Sequence, residues 1–494
     1  MVRPRRPLLV TAATGAAATL LAGCFSAAAP ADAEDRLRLA MLQPPRSALS
    51  PFSDDAFKLS RWSTAETLVT LDDLGAAQPA LATAWTRVDE RTFSFDLRPD
   101  VRFHDGAPLT ADAVVAVLRA ATAAAPKPRI LDGVELTATA TDADTVSVAT
   151  ATPDPLLPQR LSSPQLAVLS PAAYAGGPVD PVRHGTGPFV LTAVNGTSGA
   201  TLERNDDYWG EPARLAGIDV DFVPDGTARA AALRNGTADV VEAVPVSQAA
   251  SVDPALIHEV PMPRTNTLYL NNRTGPFTDP ALRAAAREAV DADRIVDQVY
   301  EGRADAARGL LGPALPWSAD RPARTAAAAG DAAGQRITLA TFTDRAELPE
   351  VAVLLQQALE ARGFVVEQVV REYQFIEADA LAGAFDAFVL SRATVLDSGD
   401  PVAYLYSDFA CDGSFGLAQF CDPAVDRALA DAAATEPGPE RRTAILDAER
   451  LILERDAAVP MLHERVVQGE SSRVSGVARD PRERTLITTD TALS

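Results

Sequence analysis

The chain has 494 residues, 47% of them hydrophobic and 23% charged, with 45 Lys and Arg against 67 Asp and Glu and a formal net charge of −22. That length allows two to four domains of ordinary size, each able to bury a core, and the balance excludes a disordered chain or a small disulfide scaffold. Such acidity removes nucleic acid as a partner, because binding a phosphate backbone needs dense Lys and Arg.

The N-terminus reads as an export signal. Arg3, Arg5 and Arg6 precede an apolar stretch over residues 8–22, shorter than the roughly 20 residues needed to span a bilayer. It ends at Leu21-Ala22-Gly23-Cys24, which resembles the bacterial lipobox and implies that Cys24 is lipidated and becomes the mature N-terminus. Arg5-Arg6 leaves twin-arginine export open beside the general route. Loss of residues 1–23 removes three arginines and no acid, leaving a charge of −25. Residues 24–36, small and polar, form a tether, so the expected location is the extracytoplasmic face of the bacterial cell membrane.

Along the mature chain, residues 37–42 are strand-like and enter a Pro- and Ser-rich turn. Alternation over 92–98 predicts a half-buried strand, and Thr110 stands as N-cap of an apolar helix over 111–124. Strands are expected at 133–140 and 145–149. From Gln335 the pattern becomes βαβ. A strand over 337–342 leads to a helix whose core face is Val351, Leu354, Leu355 and Ala358; Gly363 caps it, and strands follow at 364–370 and 385–390. Helices over 423–434 and 439–456 close the region, an α/β arrangement that places ligand chemistry at strand C-terminal ends.

Signs of catalysis are scarce. Lys58 and Lys127, the only lysines, follow Phe57 and Pro126 rather than a glycine, so no phosphate loop exists. The four histidines, His104, His184, His258 and His463, form no short metal-ligand spacing, and no Gly-x-Ser-x-Gly elbow is present. Neither an enzyme, a cofactor nor a resident metal is expected. Cys411 and Cys421, with nine residues between them in an oxidising compartment, predict a disulfide restraining the loop by about 3 kcal/mol.

An ordered set of segments carries a family resemblance. Phe95-Asp-Leu-Arg-Pro-Asp-Val-Arg-Phe-His-Asp-Gly-Ala-Pro-Leu-Thr-Ala-Asp-Ala-Val114 comes after Gln78-Pro-Ala-Leu-Ala-Thr-Ala-Trp85. Gly185-Thr-Gly-Pro-Phe189, Leu202-Glu-Arg-Asn-Asp-Asp-Tyr-Trp-Gly210, Leu233-Arg-Asn-Gly-Thr-Ala-Asp239, Pro276-Phe-Thr-Asp-Pro-Ala-Leu-Arg283 and Asp397-Ser-Gly-Asp-Pro401 follow. Over residues 37–465 the chain resembles the extracytoplasmic solute-binding proteins of peptide and nickel ABC importers.

The resemblance implies an α/β, two-lobed periplasmic-binding-protein fold (type II, the three-domain cluster C variant) with a ligand cleft at the hinge. It implies a first-lobe core from 37–56, 185–267 and 466–494, an additional domain over 57–184, and a second lobe over 268–465. The implied partners are a small peptide or metal-chelate solute and the permease and ATPase subunits of an importer, with the protein itself a monomer.

By match to the family, Asp397 receives a peptide's α-amino group. The usual aromatic before that acid is missing, with Thr394-Val395-Leu396 instead. Arg392 either meets a solute carboxylate bidentately or neutralises Asp397. Asp400 either joins the site or caps the helix through Tyr404, itself a site candidate, and Trp62 is a candidate for stacking on the solute. In a nickel binder His463 or His104 could supply a ligand, although His104 also suits a turn. Gly185 and Gly187 are expected where a chain crossing needs unusual dihedrals. A secreted hydrolase or a receptor ectodomain is the reading from a different class.

Overall fold

The computed structural model describes residues 35–395 and 399–494. Cys24 and Asp397 lie outside the described residues.

Most local signals become the elements they predict. The alternating run forms the strand Thr92–Leu97, with Phe93, Phe95 and Leu97 buried on one face. It pairs within an antiparallel sheet whose other strands are Ala82–Arg87, Leu136–Ala140 and Thr145–Thr150. Thr110 caps the helix Ala111–Ala123 by accepting from Ala113 N–H at 3.2 Å. The βαβ unit is present as the strand Arg336–Phe342, the helix Glu347–Ala361 and the parallel strand Val365–Arg371, with Gly363 at φ 106° ending the helix. The buried helix face differs from the expected one: Leu348, Val351, Ala352, Leu355 and Leu359 face inward while Leu354 and Ala358 sit at its edge. Each buried Leu or Val there contributes about 1.5–3 kcal/mol.

Among the described residues the main sheet has eleven strands, one of them, Ala304–Ala306, pairing beside the main path with Ala458–Glu470. At its middle lie two long antiparallel strands, Ile257–Leu270 and Ala458–Glu470. On one side the sheet continues through Ala387–Ala393, Arg336–Phe342 and Val365–Arg371; on the other, through Val240–Val241, Arg36–Met41, Gly217–Phe222, Gly199–Arg204 and Phe189–Asn195. Their ladder loses register between Pro261 and Thr265. Pro261 and Pro263 offer no N–H to a neighbouring strand, so an interruption falls here.

Four hydrophobic clusters pack around this frame. One uses buried residues between 268 and 462, including the βαβ unit. A second uses residues between 68 and 168 around the four-stranded sheet. The third gathers residues between 37 and 240 together with Leu486 and Ile487, and a small fourth packs Leu233, Val241 and Val467.

The glycines of the Gly185-Thr186-Gly187 crossing correct an expectation. Neither has a positive φ. Their need for glycine is space: a Cβ on Gly185 would sit 1.9 Å from Thr64 O, and one on Gly187 would sit 2.1 Å from Ser63 O. Beside them His104 ties this crossing rather than its own turn, with Nε2 2.9 Å from Gly187 O and Nδ1 buried without a partner.

Candidate functional site

A cavity of about 1960 Å³ opens where the clusters meet, and its wall includes the residues around the interrupted ladder, Met262 and Arg264. The strand Arg336–Phe342 ends there at Phe342, followed by Arg345, and the strand Ala387–Ala393 brings Arg392. Cavity-facing groups thus stand at the C-terminal ends of parallel strands, where α/β sheets place their ligand chemistry.

Arg392 is committed within the protein. Its Nε and Nη2 lie 3.0 and 2.8 Å from the carboxylate oxygens of Asp408, and its guanidinium sits 4.2 Å from the Phe415 ring centroid. Tyr269 Oη donates to the same carboxylate at 3.0 Å. Burial works against the charge of Arg392, yet Asp408 outweighs it and raises the guanidinium pKa. The carboxylate that Arg392 meets bidentately is therefore the protein's own. The Cys411–Cys421 disulfide is formed, and its loop carries Phe415.

The other predicted residues divide. Asp400 accepts from Val402 N–H at 2.9 Å just before the helix Val402–Phe409, whose N-cap is Pro401, and its other oxygen lies 2.7 Å from Arg441 Nε. Arg441 in turn donates to the carbonyls of Ala432 and Thr435 at the end of the helix Pro423–Ala434. Asp400 is thus held as a structural acid on the cavity wall. Tyr404 lies on the same wall, and its buried hydroxyl has no hydrogen-bond partner.

Trp62 does not line the cavity. It is fully buried, its Nε1–H points to Met41 Sδ at 3.1 Å, and its ring packs 6.3 Å from Phe222, so stacking on a solute is not available to it in this arrangement. Its neighbour Arg61 takes the cavity side instead. His463 is also core: Nδ1 lies 3.0 Å from Thr265 Oγ1, and burial lowers its pKa to about 4, keeping it neutral. Among the described residues no three His, Cys, Asp or Glu side chains are grouped to hold a metal ion.

Several cavity groups escaped the sequence reading. Arg61 pairs with Glu242 and donates from Nε to Glu483 O at 2.7 Å. Arg345 donates to Glu464 at 2.7 Å and to Ser391 Oγ at 3.1 Å, and Glu464 holds its pKa up. Glu483 sits at φ 59°, a left-handed conformation unusual for glutamate, in a turn fixed by Asp480, which accepts from the N–H groups of Arg482, Arg484 and Thr485. Arg264 completes this group on the strand Ile257–Leu270. An available signal was the pair of prolines at 261 and 263, which mark where a central strand must break.

The model of the bacterial extracellular solute-binding proteins, family 5 (middle region), matches residues 76–416, more than two thirds of the chain. The chain belongs to this family. The family 5 chain is 27% identical over 318 residues to the probable ABC transporter periplasmic-binding protein SapA of Escherichia coli strain K12, covering 60% of the chain and 57% of that relative. It therefore spans little more than half the length of that relative. It is 25% identical over 452 residues to the probable di/tripeptide-binding protein 5 of Pseudomonas aeruginosa strain UCBPP-PA14, covering 82% and 85% of the two chains.

The crystal structure of the nickel ABC transporter protein from Bacillus halodurans superposes with a TM-score of 0.79 at 23% identity, covering 93% of this chain and all of that one. The chain thus resembles a peptide-named protein in sequence and a nickel-named protein in fold. These names denote transport and binding proteins, not enzymes.

Proposed function

We propose that the chain is the lipid-anchored, extracytoplasmic solute-binding subunit of an ABC importer that captures di- or oligopeptides by hinge closure and delivers them to a permease. The observation that carries this reading is the cavity. At about 1960 Å³ it exceeds the roughly 1000 Å³ upper range of ordinary small-molecule pockets. Its wall mixes guanidinium and carboxylate groups, the chemistry that suits a zwitterionic backbone.

The division into 37–56 plus 185–267 plus 466–494, 57–184 and 268–465 is the working domain scheme; the clusters within 68–168 and 268–462 support two of its parts, while the cluster around Leu37 also draws Leu59, Trp62 and Leu169 from 57–184. In this scheme the two long central strands join the lobes, and the break at Pro261–Thr265 is the place for bending. Solute then stabilises the closed form through contacts that both lobes make. The family motif supports Asp397 as acceptor of the peptide's amino group. The Leu-Ala-Gly-Cys motif supports lipidation at Cys24, and the tether holds the body off the membrane.

A metal chelate is the second reading, favoured by the likeness to the nickel-named structure and by arginines able to meet a chelator's carboxylates. Native mass spectrometry of the purified protein distinguishes the two. A co-purified peptide mass supports the first; a nickel-containing complex replaces it with the second. Retention of full peptide affinity in Asp397→Asn sinks the role given to Asp397.

A further inference from the structure

The arginines on the cavity wall differ in what holds them. Arg61 is paired with Glu242, Arg345 with Glu464, Arg392 with Asp408 and Arg441 with Asp400. Arg264 stands apart from these four; Arg46, whose side chain has no ion pair among the described residues, is exposed to solvent. Among the described residues the Arg264 guanidinium makes no hydrogen bond, and its one ion contact is Glu483 Oε2, 3.9 Å from Nε. That distance is beyond a hydrogen bond, and the same Glu483 oxygen is itself buried without a hydrogen-bond partner.

The Arg264 side chain is only 25% exposed, but its guanidinium nitrogens are not among the fully buried atoms, so what exposure they keep is toward the cavity. Burial accordingly pushes its pKa down, with Glu483 and Glu464 opposing. A guanidinium serving only to neutralise Glu483 would close the gap, as the neighbouring arginines do with their acids. The donor fork is instead free on the cavity side, with the planar geometry that binds a carboxylate through two parallel hydrogen bonds.

We propose that Arg264, an uncommitted guanidinium at the broken register of the central strands, receives the carboxylate of the solute. The assignment rests on the reading of the chain as a peptide or chelate binder. It also moves the carboxylate role away from Arg392, which Asp408 already occupies. The position matters for closure. Arg264 lies on a strand shared by both sides of the sheet, between Pro261 and Thr265 where the ladder fails, and is opposite Ala393 at the end of the strand carrying Arg392. A carboxylate docked there adds contacts at the bending point itself, so binding and closure become one event.

The carboxylate could come from a peptide C-terminus or from a metal chelator, and calorimetric titration separates the sources. The probes are trialanine, trialanine amide, the nickel–histidine complex and the nickel–histamine complex, the second of each pair lacking the carboxylate. The wild-type protein is expected to bind the carboxylate form of one pair about tenfold or more tightly. In Arg264→Gln that preference should fall to within about twofold while affinity for the carboxylate-free probe is retained; Arg264→Lys should keep part of it. If melting shows that Arg264→Gln is unfolded, Arg264→Met takes its place.

A preference for trialanine places the carboxylate on a peptide, and one for nickel–histidine places it on a chelator. Either preference surviving in Arg264→Gln but vanishing in Arg392→Gln overturns the assignment. So does wild-type binding that ignores the carboxylate in both pairs. Failure of the wild-type protein to bind any of the four probes instead overturns the peptide-or-chelate reading on which the assignment stands.

Discussion

Arg392 and Asp408, sixteen residues apart, form a bidentate ion pair in which the carboxylate is fully buried and the guanidinium rests against Phe415. The pair ties the end of a central strand to the helix Val402–Phe409 and sets the shape of the cavity wall. Asp408→Ala should therefore destabilise the protein by about 3 kcal/mol, because it leaves a largely buried guanidinium without its counter-charge. Urea unfolding of the variant against wild type measures this; a change under about 1 kcal/mol would show that solvent already screens the pair.

The two crossing glycines give a sharper steric case. Gly185→Ala directs a methyl group into Thr64 O, a backbone atom that cannot rotate away. A loss of about 2 kcal/mol or more is expected, within the usual range for overpacking. Gly106→Ala, where nothing lies within 4 Å of the added carbon, separates this steric effect from the conformational cost of its φ of 86°. Thermal melting of both variants tests the distinction, and equal, small shifts would contradict it.

Removing the disulfide should act on stability and binding together. The bond closes a loop with a sequence separation of 10, so the Cys411→Ser, Cys421→Ser double variant should lose about 3 kcal/mol in the loop-entropy account. The loop carries Phe415, which backs Arg392. Melting with and without reductant should show a shift in the wild-type protein and none in the double variant.

His463 makes stability depend on acidity. Its folded-state pKa is about 4, lowered chiefly by burial and further by Arg321, against an ordinary value of 6.5. Between those values the unfolded chain binds more protons, so the contribution is complete above pH 6.5 and is lost as the pH falls toward 4. His463→Gln should flatten the fall in stability over that window, read from denaturant midpoints at pH 7, 5.5 and 4.5. A parallel pair of curves would remove His463 as the cause.

Much of the fold was written locally. The capped helix after Thr110, the alternating strand over Thr92–Leu97, the βαβ unit and the helix Pro423–Ala434 follow from periodicity and caps, which depend on residues within a few positions of each other. The same holds for the bond from Val402 N–H to Asp400 at the start of the helix Val402–Phe409. The long central strands were hidden because their prolines argue against a continuous strand, and only pairing with a distant segment of chain, residues 458–470, sustains them.

The site was legible as a neighbourhood, not as a set of roles. Arg392 and Tyr404 do reach the cavity wall, whereas Trp62, beside a cavity-facing Arg61, turns into the core against Met41 and Phe222. Sequence alone determined the elements, the acidic character and the family motifs, since these are properties of residue type and short spacing. Which arginine is spent on a carboxylate and which is left open was decided only by tertiary structure. Charge pairing depends on distances of a few ångströms between residues far apart in the chain: 119 positions separate Arg345 from Glu464, and 219 separate Arg264 from the Glu483 that it faces without bonding.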